Sequence, residues 1–88
     1  MPQAKTIALI TTYVAKHFPA FRKKQLGDTD LLLQSGVIDS MGILDLVGYI
    51  EAEFTIVVSD DDLVPENFGS IEAIAGFVER KRSADGAS

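Results

Sequence analysis

An all-α bundle is the fold this sequence predicts, and three observations carry the expectation. Apolar residues recur at helical spacing in three separate stretches, each opens or closes on residues that favour helix ends, and no β-prone run has a partner of comparable length. In order along the chain, Ile7, Ile10, Val14 and Phe18 line one side of a first helix over Ala4 to Phe18, which Pro19 ends. Residues 20–38 carry no long period. Leu26, Leu31, Leu32, Leu33, Val37 and Ile38 are nevertheless too apolar for a solvated linker, so a long loop packed over helix ends is expected. Asp39 and Ser40 then offer side-chain oxygens to orphan amides at a helix start. Ile43, Leu46, Val47, Ile50 and Phe54 follow as the core stripe of a helix over Ser40 to Phe54, about 22 Å long at 1.5 Å per residue.

Thr55 to Val58 is β-prone but lacks a second strand. Ser59 with Asp60, Asp61 and Asp62 suits another helix start, where negative charge meets the positive end of the dipole, and Pro65 restricts this short helix to a turn or two. Ser70 caps the last helix. Ile71, Ile74, Ala75 and Val78 form its inner stripe, and Arg80, Lys81 and Arg82 are expected at its negative end. The expectation is therefore a four-helix bundle, three main helices and one short one, with a domain over 1–82 and a disordered tail over 83–88.

Composition narrows what such a bundle does. At 88 residues the chain is one domain's length, and 47% hydrophobic residues are enough to build a core. The absence of cysteine removes disulfides, thiolate nucleophiles and Cys-based metal sites, and a single histidine leaves no His-rich site. No metal site is expected. No apolar run reaches the roughly 18 residues of a membrane span, and the first residues lack the form of a secretion signal, so a cytoplasmic location and no membrane partner are expected. Thirteen acids against eight bases give a net charge of −5, which disfavours nucleic acid. The bases occupy only positions 5–24 and 80–82, whereas the stretch 25–79 holds twelve acids and no base. Acids of this number keep a small domain soluble, but their segregation also makes a field that steers cationic protein partners.

Three sets of residues remain as candidates. Met41, Leu44, Asp45, Gly48 and Glu51 lie off the core stripe of the Ser40 helix and together make an apolar face with an acidic rim, suited to a basic groove. Ser40 has two readings, a cap or an attachment point for an anion placed at a helix start by another enzyme. As an independent nucleophile it lacks a base, since His17 sits near the end of the first helix. The run Asp60 to Asp62 fails the calcium-loop pattern, because the fifth and sixth positions are Val64 and Pro65.

At Gly36-Val37-Ile38-Asp39-Ser40-Met41 the sequence resembles the acyl and peptidyl carrier proteins. The likeness extends upstream to Leu33, Ser35 and Gly36, and downstream through Ile50 to Phe54, Ile56, Val58, Asp61, Asp62 and Leu63 to Ile71, Ile74 and Phe77, covering roughly Ala4 to Lys81. The resemblance implies a discrete four-helix carrier domain of acyl-carrier type. On it a holo synthase, a phosphopantetheinyl transferase, would attach 4'-phosphopantetheine from coenzyme A to Ser40, with Asp39 helping to place the magnesium and the serine. It implies a monomeric, non-catalytic carrier that holds acyl or aminoacyl groups as thioesters, so that a chain without cysteine gains a thiol. The partners would be that synthase, a loading ligase or acyltransferase, and downstream enzymes of a fatty-acid, polyketide, nonribosomal-peptide or related pathway. Met41, Leu44, Asp45 and Glu51 match the family's docking positions, and Val47, Ile50, Val58 and Leu63 would line a cargo pocket. Gly42 and Ala52 depart from the acids common in fatty-acid carriers and lean toward a specialised pathway. The competing reading is an acidic helical adaptor that binds a basic partner without a cofactor.

Overall fold

Side-chain periodicity becomes packing in five helices. In the computed structural model, helix α1 spans Ala4–His17, α2 Pro19–Lys23, α3 Ser40–Phe54, α4 Pro65–Phe68 and α5 Ile71–Gly86, with a 3₁₀ turn at Asp60–Asp62. The structure describes residues 3–27 and 29–86, and the side chains of these apart from Ser40 and residues 83–86. No strand occurs among the described residues, and the all-helical bundle is as expected, with three long helices. Thr55 to Val58, the β-prone stretch, is irregular chain.

The core gathers the predicted stripes. Ile10 and Val14 of α1, Leu46 and Ile50 of α3, and Ile71, Ile74, Ala75 and Val78 of α5 are fully buried. Burying a side chain of this size stabilises by about 1.5–3 kcal/mol relative to exposure, so these stripes hold the three long helices together. Ile7, Phe18, Ile43 and Val47 are half-buried at its margin. From the long connection between α2 and α3, Leu32, Val37 and Ile38 enter the same core, and the Leu32 amide donates to the Gly69 carbonyl at 2.8 Å. The connection is thus tied to the start of α5.

Four expectations are corrected. Pro19 ends α1 as expected but also begins α2, because a fixed φ and a missing N–H suit the first position of a helix. Phe21 of that added turn is buried, so its core contact holds the turn in place. Leu31 and Leu33, expected to pack, are nearly half exposed; with Leu32 anchored inward, its two neighbours must turn outward. Arg80, Lys81 and Arg82 are not the last turn, since α5 continues to Gly86, four residues into the segment expected to be disordered. Nothing before Gly86 breaks the helix. Residues 87–88 of that expected tail lie outside the described ones.

Candidate functional site

The start of α3 is built by its own sequence. Asp39 has extended backbone at φ −100° and ψ −174°, and its Oδ1 accepts from the Gly42 amide at 2.8 Å. The Ile43 amide donates to the Asp39 carbonyl at 3.0 Å. The first bond satisfies one of the leading amides and the second begins the helical ladder. Ser40 is the first residue of α3; its side chain lies outside the described ones. The residues on either side, Asp39 and Met41, are exposed, so the chain runs along the surface here. An exposed helix start, where backbone amides and the positive end of the dipole favour negative charge, suits an anion.

Two neighbours hold this end in place. Gly42 is buried, and a Cβ there would sit 2.8 Å from Phe18 Cε1 and 3.0 Å from Ile38 Cγ2, so the end of α1 packs directly on the α3 backbone. Gly36 takes φ +80°, a turn that L side chains resist, and redirects the chain into Val37 and Ile38. The Lys24 ammonium donates to the Ser35 carbonyl beside that turn.

Along α3, Met41 and Leu44 are 73% and 58% exposed, and Asp45 and Gly48 are exposed on the same face. The structure brings these four predicted docking residues into one strip. Glu51 ends the strip differently: half-buried, its Oε2 accepts from the Val58 amide at 2.9 Å and fixes the chain leaving α3. Beside the strip lies an aromatic stack that periodicity alone did not mark. Tyr13 of α1 stacks on Tyr49 of α3 with ring centroids 4.1 Å apart, and the Tyr13 hydroxyl donates to the Asp45 carbonyl at 3.4 Å. Burial, and then the nearby Asp45 carboxylate, push the Tyr13 hydroxyl above its ordinary pKa; burial followed by Glu53 does the same to Tyr49. His17 stacks on the other side of Tyr13 at 4.1 Å.

The four predicted cargo residues all lie in or against the hydrophobic core. Ile50 is fully buried in the core, while Val47 and Val58 are half-buried and packed against it. Leu63 also lines a pocket near the start of α3, with Leu33, Ile43, Val64, Pro65 and Phe68 around it. Its volume is about 100 Å³, where ligand pockets usually exceed ~300 Å³. Sequence reasoning assigned Ile43 wholly to the core and Leu33 to a packed loop, and so missed that both open onto one hollow.

The acidic run is structural in part. Asp62 Oδ2 accepts from the Ser59 amide and hydroxyl, both at 3.0 Å, and pairs with Lys81 Nζ at 3.0 Å. The Ser59 amide, and then Lys81, hold the Asp62 carboxyl below the usual carboxylate range. Among the described residues no three acid or histidine side chains stand close enough to share a metal ion, and no helix is long and apolar enough to cross a membrane.

Comparison with known proteins places this geometry. The family model for the phosphopantetheine attachment site matches residues 21–78, the greater part of the chain, with Asp39 and the start of α3 inside it. A probable acyl carrier protein, PigG, of Serratia sp. (strain ATCC 39006) is 23% identical over 74 residues, covering 84% of this chain and 85% of that protein. A match of this extent leads to one assignment: the chain belongs to the phosphopantetheine attachment site family and is a carrier protein whose prosthetic group is covalent 4'-phosphopantetheine.

Proposed function

We propose that Ser40 bears the phosphopantetheine and that the protein, without catalysis of its own, carries acyl or aminoacyl groups between the enzymes of a specialised biosynthetic pathway. The observation that carries this reading is the Asp39-capped start of α3, exposed on both sides of Ser40 and lying inside the family match. The arm supplies the thiol that this cysteine-free chain lacks, and cargo is held on it as a thioester. Asp39 has a second carboxylate oxygen besides the one that caps Gly42, which suits it to help position magnesium and serine within the complex with the holo synthase. Met41, Leu44, Asp45 and Gly48 form the strip that the transferase, a loading ligase or acyltransferase and downstream enzymes read in turn. Surface charge of this kind favours fast association over long residence, as a cytoplasmic monomer exchanging between partners requires.

The pocket lined by Leu33, Ile43 and Leu63 accepts only a small part of any cargo unless the chain around Pro65 moves. The test is an intact mass after incubation with coenzyme A and a promiscuous phosphopantetheinyl transferase. A gain of roughly 340 Da that vanishes in Ser40→Ala is expected for a covalent arm. An unchanged mass favours the adaptor reading, in which the same exposed strip binds one basic partner.

A further inference from the structure

The basic residues set apart by the charge pattern find no use in the site at α3, yet the fold collects three of them around one groove. Where α1 meets α2, Thr11, Ala15 and Lys16 from one helix face Pro19, Arg22 and Lys23 from the other across a groove of about 720 Å³. Lys16, Arg22 and Lys23 are exposed, and none of the three is ion-paired among the described residues. Among the described residues no acid lines the groove. Ala15, Pro19 and the aliphatic stems of the long side chains give it an apolar floor under a cationic rim. The groove also points away from the α3 strip. At 100° per residue, Ala15 projects roughly 160° around the α1 axis from Tyr13, the residue that reaches Asp45.

We propose that this groove is a second docking surface, which takes an acidic segment of a partner protein with apolar side chains between its carboxylates. Charge complementarity selects the occupant. Carboxylates meet Lys16, Arg22 and Lys23, and an apolar side chain lies on Ala15 and Pro19. The proposal does not depend on Ser40 bearing the arm.

The experiment is an amide NMR titration of the full chain, at low ionic strength where surface charges are least screened, with a short synthetic peptide of glutamates interspersed with leucines. Shifts confined to residues 11–23 are expected. Lys16→Glu with Arg22→Glu and Lys23→Glu, all at exposed positions, should weaken binding roughly tenfold through three lost charge contacts. Shifts centred on α3, binding indifferent to the triple reversal, or equal shifts with inorganic phosphate alone would each overturn the proposal. So would tighter binding to phosphatidylglycerol vesicles than to the peptide, or shifts produced by raising the protein concentration alone.

Discussion

Gly42 and Gly48 stand six residues apart on one helix, and alanine at the two positions should act in opposite directions. Glycine inside a helix costs about 0.8–1.0 kcal/mol relative to alanine, since it gives up the most backbone freedom on folding. At Gly48 a new Cβ meets nothing within 4 Å, so Gly48→Ala should recover nearly all of that, about 0.9 kcal/mol. For a domain of this size the melting temperature should rise by about 4–7 °C. At Gly42 the same Cβ lies 2.8 Å from Phe18 Cε1, 3.0 Å from Ile38 Cγ2 and 3.3 Å from Asp39 Oδ1. Overpacking of this kind costs about 1–3 kcal/mol, which exceeds the propensity gain and leaves a net loss of about 1 kcal/mol. Because the crowding involves Phe18 and the capping carboxylate, Gly42→Ala should also slow modification at Ser40, whereas Gly48→Ala should not disturb the helix start. Urea and thermal unfolding followed by circular dichroism give the stabilities, and intact mass against time gives the modification rate. Phe18→Leu in the Gly42→Ala background removes the nearest ring atom and should recover part of the loss, a coupling read from the double-mutant cycle. A stabilised Gly42→Ala, or no coupling with Phe18, would refute the claim that the end of α1 packs on bare α3 backbone.

Three further outcomes rest on single contacts. Thr55 closes α3 at φ 54° and ψ 53°, a left-handed conformation that a β-branched residue adopts at a cost of about 1–3 kcal/mol; Thr55→Gly should therefore stabilise the fold by about 1 kcal/mol in urea unfolding. The Asp62 carboxyl titrates below its unfolded value because the Ser59 amide and Lys81 favour its charged form, so its contribution is present above the ordinary carboxylate pKa and disappears as pH falls through the lowered one. Melting curves of Asp62→Asn and the parent chain should differ at pH 7 and converge in strong acid; a difference that grows on acidification has the wrong sign for this reasoning. Asp45→Asn should lower kcat/KM for phosphopantetheinylation at low salt, an effect that fades as salt rises, and should leave stability unchanged. Glu51→Gln should differ by also lowering the unfolding midpoint, because its carboxylate holds the Val58 amide.

The helices were legible in the residues because their information is local. The bounds of α3 follow from a capping aspartate at one end and from apolar spacing that runs out at Phe54, and the stripes of α1 and α5 are buried as their spacing implies. The pattern around Asp39 and Ser40 was legible for the same reason: capping and dipole effects act within one turn. The turn α2 was not, since five residues show no period and are held by the burial of Phe21. The hollow shared by Leu33, Ile43 and Leu63 was not legible either, because spacing names the face of a helix but not which side chains from other segments meet there.

By itself the sequence determined which stretches become helices, which side of each is apolar, where the anion-favouring start of α3 falls, and that charge is divided between the ends and the middle of the chain. Only the tertiary structure decided what those features touch: Phe18 on Gly42, Glu51 on the Val58 amide, Leu33 beside Ile43, and three cations around one groove. The physical reason is range. Hydrogen bonds and side-chain spacing within a helix involve residues three or four positions apart, whereas contacts between elements depend on how the helices cross and which loops fill the gaps, and that is settled only when the core packs.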